Sequence, residues 1–210
     1  MTGTIDTPEV EGVFRLSYGG RNVYLLHRAG SVVLVGAGGP GHLPLISQAL
    51  SMQGLAMSSI HAILLTHADP ALSANAPIIR EKSGARIHAT ELEAGRLSSG
   101  KFRRKGIGIG EFIEGRRAAL LHFKTFAVDF FVSEGDVLDQ WYGLTVMMLP
   151  GPTIGHCGYY CRHLGVLFCG ALFEKQGLVS KVLRPPFNPE LRQKSIAKAD
   201  ALHPRIILQS

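Results

Sequence analysis

The chain has no apolar run approaching the roughly 20 residues that a membrane helix needs; its apolar runs are of strand length. That excludes a helical membrane span. Cysteine is scarce, with Cys157, Cys161 and Cys169 the three in 210 residues. An odd number cannot all pair within one chain, and buried thiols in a reduced protein are the plain reading. The first twelve residues carry Asp6, Glu9 and Glu11 and no apolar core, so they do not read as a signal peptide. A cytoplasmic location is the expectation. Acidic residues are also missing throughout the stretch from Gly30 to Ala68.

What is present describes a globular protein. The hydrophobic fraction is 46% and the charged fraction 18%, a composition that buries a large interior. The length gives one domain spanning 1–210 as the expectation. The 25 glycines point to many tight turns. A net charge of +6 and a pI near 9.4 permit an acidic partner without specifying one.

The pattern along the chain mixes strands and helices in both halves. Val10 to Leu16 and Val23 to His27 read as antiparallel strands around a turn at Tyr18 to Asn22. Ser31 to Val35 and Ile60 to Leu65 are further apolar strands, with a helix at His42 to Met52 between them. Pro77 to Ser83 reads as a helix closed by Gly84, and Ala85 to Ala89 as a strand. A second helix begins after Thr90, a cap candidate. In the second half, strands are predicted at Leu144 to Leu149, Gly158 to Arg162, Val166 to Gly170 and Arg205 to Leu208. A turn falls at Glu134-Gly135-Asp136, a loop at 185–189 and a helix at Glu190 to Leu202. The spacing predicts an α/β sandwich.

The turn at Gly36, Gly38 and Gly41 satisfies G-x-G-x-x-G between a strand and a helix. Dinucleotide binding also requires an acid about 20 residues on to hold a ribose hydroxyl, and none is present. Two strands precede the turn where the fingerprint normally closes the first. A tight strand-to-helix turn is the simpler account.

The stretch from Ser98 to Arg117 carries Lys101, Arg103, Arg104, Lys105, Arg116 and Arg117 against Glu111 and Glu114, interrupted by glycines. It reads as a basic surface segment, either a solvated loop or an electrostatic contact for an anionic partner. Beyond Phe102 and Phe112 it lacks the aromatics that stack bases, so nucleic acid is not specifically indicated.

Ile63 to Leu72 reads ILLTHADPAL, a buried strand ending in Thr66 and His67 and then a polar elbow. The C-terminal end of such a strand is where chemistry usually sits in α/β proteins. The segment resembles the metallo-β-lactamase-fold hydrolases, whose strand of this kind ends in Thr-His-x-His-x-Asp-His. The resemblance extends over nearly the whole chain. VEGVFRL, NVYLL and VVLVGAG match the family's opening, and KSGARIHATELEA the segment after its metal loop. EGDVL, LPGPTIGH and GVLFCGALF match its second half. It implies a four-layer αβ/βα sandwich.

The same resemblance marks what is missing. Thr66 and His67 match the motif, but Asp69, Ala71 and Leu72 stand where it has His, Asp and His. Pro152 stands in place of the His of the Pro-Gly-His-Thr segment, and Ala171 in place of the bridging Asp. His156 survives at a position that is not normally a ligand. Catalytic zinc needs about three protein ligands and an open water position, and it supplies hydroxide by lowering the water's pKa to about 7. His67 and Asp69 offer two donors at most. No cofactor is expected, and His67 and Asp69 are read as vestigial positions.

Other chemistries do not replace it. Ser58 and Ser73 lack motif-placed His and acid partners. Cys157 and Cys161 share a strand face near His156, with Cys169 on the paired strand, but buried thiols of this kind are usually structural. The expectation is a non-catalytic protein of this fold, acting as a binding or scaffolding subunit with a protein partner or a second copy. One alternative is a hydrolase of esters, thioesters or similar substrates with a rebuilt or metal-independent site. The other is an anion- or nucleic-acid-binding protein acting through 101–117.

Overall fold

A computed structural model describes residues 3–102, 123–173 and 188–210. Its strands form two sheets. One runs in the order β1 (Thr4–Asp6), β2 (Val13–Tyr18), β3 (Arg21–Arg28), β4 (Ser31–Val35), β5 (Ile60–Leu64), β6 (Arg86–Ala89) and β7 (Phe130–Phe131). The first four are antiparallel and the last three join in parallel. The other sheet has β8 (Val137–Leu138), β9 (Leu144–Met148), β10 (Cys157–Cys161), β11 (Val166–Gly170) and β12 (Ile206–Gln209) side by side in sequence order. Of its pairs, only β11 with β12 is parallel.

Adjacent residues of a strand point to opposite faces, and here both faces are covered. On β3, Leu25 joins the core beneath α1 (His42–Met52), α3 (Ala76–Ser83) and α4 (Glu91–Ser99). Its neighbour Leu26 joins the core between the two sheets. Tyr24, Val33, Leu64, Trp141, Val146, Tyr159 and Phe168 fill that intersheet layer. On the outer face of the second sheet, Met147, Leu149, Leu167 and Cys169 pack with Ala199 of α5 (Pro189–Asp200). The order helix, sheet, sheet, helix is the four-layer sandwich that the family resemblance implies. Apolar runs such as VVLV are strands buried on both faces.

Three elements differ from the sequence reading. β1 was not foreseen; it pairs along β2, and Arg15 clasps Asp6 through Nε and Nη2 at 2.9 and 2.8 Å. The elbow after His67 is not all loop, because Pro70–Ser73 forms a short helix, α2. Its cap, Asp69, accepts from Ala71 N at 2.8 Å, and Pro70 needs no N–H in the first turn. The last helix starts at Pro189, capped by Asn188, whose Oδ1 accepts from Leu191 N at 3.0 Å.

The Gly-rich turn has a packing explanation. A Cβ on Gly41 would lie 2.2 Å from the Tyr18 ring, and one on Gly38 would lie 2.4 Å from that of His42. Asn75 Nδ2 donates to Ala37 O and Gly39 O, and the amides of Ala37 and Gly38 donate to Leu72 O. The turn is fastened to α2 and α3, and its glycines let it approach Tyr18 and His42 closely.

Candidate functional site

The C-terminal ends of β4, β5 and β11 open onto one cleft. Val35, Gly36, Leu65, Thr66, His67, Leu72, Phe168, Gly170 and Ser210 line it, with Tyr24 and Leu208. Its volume is about 290 Å³ counted out to open solvent, and it encloses room for about one water molecule.

His67 is buried and shares a 2.9 Å hydrogen bond between its Nδ1 and Thr66 Oγ1. Its ring lies 5.2 Å from that of His156, centroid to centroid. His156 is fully buried. Its Nδ1 is 2.9 Å from Leu149 O, and its Nε2 is 3.2 Å from Ala171 N. A carbonyl only accepts and an amide only donates, so the proton sits on Nδ1 and the Nε2 lone pair faces the amide. Asp69 is committed as well: Oδ1 caps α2, and Oδ2 lies 3.7 Å from Arg21 Nη2, both side chains being largely buried.

The zinc chemistry implied by the family resemblance does not fit this donor set. Ala71, Leu72, Pro152 and Ala171 are buried and carry no donor side chain. Asp69 and His156 already serve backbone groups. Among the described residues, no three His, Cys, Asp or Glu side chains gather to hold an ion.

The cysteines divide between two layers. Cys157 and Cys161 face the intersheet core, whereas Cys169 faces α5. The register sets this, since Tyr159 pairs with Phe168 and so places Cys169 across from Gly158. All three are free and buried. Burial pushes the Cys157 and Cys169 thiols up to about 12, so they are protonated and inert.

Of the basic residues singled out from the sequence, Lys101 is exposed just beyond Gly100, the left-handed residue ending α4. Arg103, Arg104, Lys105, Arg116 and Arg117 lie outside the described residues.

One side chain next to the site carries no signal in the sequence. Glu93 is fully buried. Its Oε2 accepts from Ala68 N at 2.8 Å, in the loop after β5, and its Oε1 from Gly155 N at 3.2 Å, in the loop before β10. Arg96 Nη1 lies 3.4 Å from Oε2. Thr90 is the cap of α4 by position, but its hydroxyl donates to Gly155 O at 2.7 Å rather than capping the helix. The pattern Thr90-x-x-Glu93 is that of a capping box, and the structure turns both side chains outward to the same glycine.

If His67 and Asp69 are remnants, removing either costs local bonds only. His67→Ala loses the Thr66 bond and the contact with His156; Asp69→Ala loses a helix cap and the ion pair with Arg21. Each is expected to lower stability by about 0 to 2 kcal/mol in urea unfolding. A folded His67→Ala variant that loses its cellular role would instead mark a rebuilt active site.

A two-sheet sandwich with a cleft at the strand ends defines the class. The family model of the metallo-beta-lactamase superfamily matches residues 17–208, and this chain belongs to that superfamily. It is similar to a Cronobacter sakazakii metallo-beta-lactamase described by a HARLDQ motif, at 20% identity and a TM-score of 0.74 over 94% of this chain and 70% of that one. It is also similar to BJP-1, a subclass B3 enzyme of Bradyrhizobium japonicum, at 21% and 0.72 over 97% and 76%. For FEZ-1 of Legionella gormanii the values are 17% and 0.67 over 89% and 71%. At such identities the likeness is one of fold. No curated protein matches the chain. No helix among the described residues is long and apolar enough to cross a membrane.

Proposed function

We propose that this protein is a non-catalytic member of the superfamily that acts as a binding or scaffolding subunit, its metal centre replaced by apolar side chains. The observation that carries this reading is the set of buried, donor-free residues Ala71, Leu72, Pro152 and Ala171, of which Leu72 lines the cleft. Restoring a zinc site would require several of them to change together, since catalytic zinc takes about three protein ligands. The partner is a protein or a second copy of this chain. The basic residues Lys101, Arg103, Arg104, Lys105, Arg116 and Arg117 are its proposed electrostatic contact.

The rival reading is a hydrolase with a rebuilt site. The HARLDQ motif named for the Cronobacter sakazakii lactamase favours it, because that motif too has a residue other than His in its third position. This chain reads His67-Ala68-Asp69-Pro70-Ala71-Leu72 and also lacks the Asp at the fifth position, which weakens the parallel.

Elemental analysis of protein purified without chelators separates the two. The expected content is well below one equivalent of zinc, iron or manganese, with no turnover of ester, thioester or β-lactam probes. One equivalent or more, together with turnover, would establish the hydrolase. Reversing Arg103, Arg104 and Lys105 to Glu is expected to weaken binding of any co-purifying partner and to flatten its salt dependence. Unchanged affinity and salt slope would send the contact elsewhere.

A further inference from the structure

We propose that Glu93 is a positioning residue that ties the loop after His67, a residue lining the cleft, to the loop before β10, so that the placement of the His67 edge is set by a carboxylate of the chain itself. This stands whether or not the scaffold reading holds.

Ala68 follows β5 in the first sheet, and Gly155 precedes β10 in the second. These loops belong to different halves of the sandwich, and α4 lies outside both sheets' interface. The Glu93 carboxylate reaches both amides at once, at 2.8 and 3.2 Å. Thr90 adds a bond to the carbonyl of the same glycine. Cys157 N donates to Thr66 O at 2.9 Å beside them. Charged acceptors make shorter and stronger bonds to backbone amides than neutral ones. In a buried setting they also leave a costly gap when removed.

Gly155 is shaped for this contact. A Cβ there would lie 2.8 Å from Glu93 Oε1, 2.9 Å from Leu92 Cβ and 2.9 Å from Thr90 Oγ1. Only glycine brings its backbone this close to α4. Arg96, one helical turn on and 17% exposed at its side chain, lies beside Oε2 and offsets the buried charge.

The test is amide hydrogen exchange on the full chain. Glu93→Gln keeps the shape but turns one acceptor into an NH2 group that faces an N–H. Exchange at Ala68 or Gly155 is expected to accelerate about tenfold or more, while sheet amides such as that of Leu25 keep their protection. Excess EDTA is expected to leave the wild-type protection of both amides unchanged. If Glu93→Gln does not fold, Glu93→Asp keeps the charge but is one methylene short, and it is expected to release at least one of the two amides. The proposal is overturned if both amides keep wild-type rates in a folded variant. It is also overturned if all amides accelerate together, or if EDTA alone releases the two in the wild type.

Discussion

Gly170→Ala is expected to destabilise the protein by about 2 to 5 kcal/mol. Gly170 ends β11 with φ +57°, in the left-handed region, which costs a residue with a Cβ about 1–2 kcal/mol. The added methyl would also lie 2.6 Å from His156 Nε2 and 2.7 Å from Thr66 Oγ1. Overpacking of this kind costs about 1–3 kcal/mol more. Neither neighbour is free to yield. The His156 ring is held at both nitrogens, and Thr66 is tied through its hydroxyl to His67 and through its carbonyl to Cys157 N. Such a loss is a large fraction of the roughly 5–15 kcal/mol that stabilises a domain. Denaturant unfolding checks it: a change below about 1 kcal/mol would mean that the cleft floor relaxes around the methyl.

Phe168→Ala is expected to cost about 3 to 5 kcal/mol. Phe168 is fully buried between the sheets, with its ring 5.4 Å from that of Tyr24 and 6.0 Å from that of Trp141, both edge-on. Truncation leaves a void that both sheets border, and the rigid strands on either side cannot close it. Phe131→Ala is the matched control. Its side chain is 64% exposed at the end strand β7, and its loss is expected to stay within about 0.5 kcal/mol. Similar losses for the two variants in urea unfolding would show that the intersheet layer is not the principal core.

Most strands and helices are legible in the sequence because their signals are local. SVVLV and LTVMML are apolar runs between turn residues, and Gly84 and Gly100 end their helices in the left-handed conformation that glycine favours. β1 was missed because three residues carry no period; its pairing along β2 decides its conformation. α2 was missed because Asp69, set against a metal motif, was read as a failed ligand rather than as a cap. The missing donors were legible, since Ala71, Leu72, Pro152 and Ala171 carry none on their side chains. The long-range bonds of Glu93 were not. Glu93 bonds amides 25 and 62 positions away, and nothing local distinguishes it from an ordinary first-turn acid.

The seam between β3 and β12 bears on how the chain folds. Tyr24 Oη donates to Gln209 O at 2.5 Å, and Asn22 Nδ2 donates to the same oxygen at 2.9 Å, joining residues 185 and 187 positions apart. β12 takes its place only by a parallel crossover through α5, whereas β2, β3 and β4 are successive hairpins. Loop closure over such separations must precede the contacts that reward it, and topologies rich in them fold slowly. The N-terminal meander is therefore expected to form ahead of the seam. During synthesis it would wait, with the intersheet faces of Tyr24 and Leu26 bare, until the second sheet with Phe168 is made.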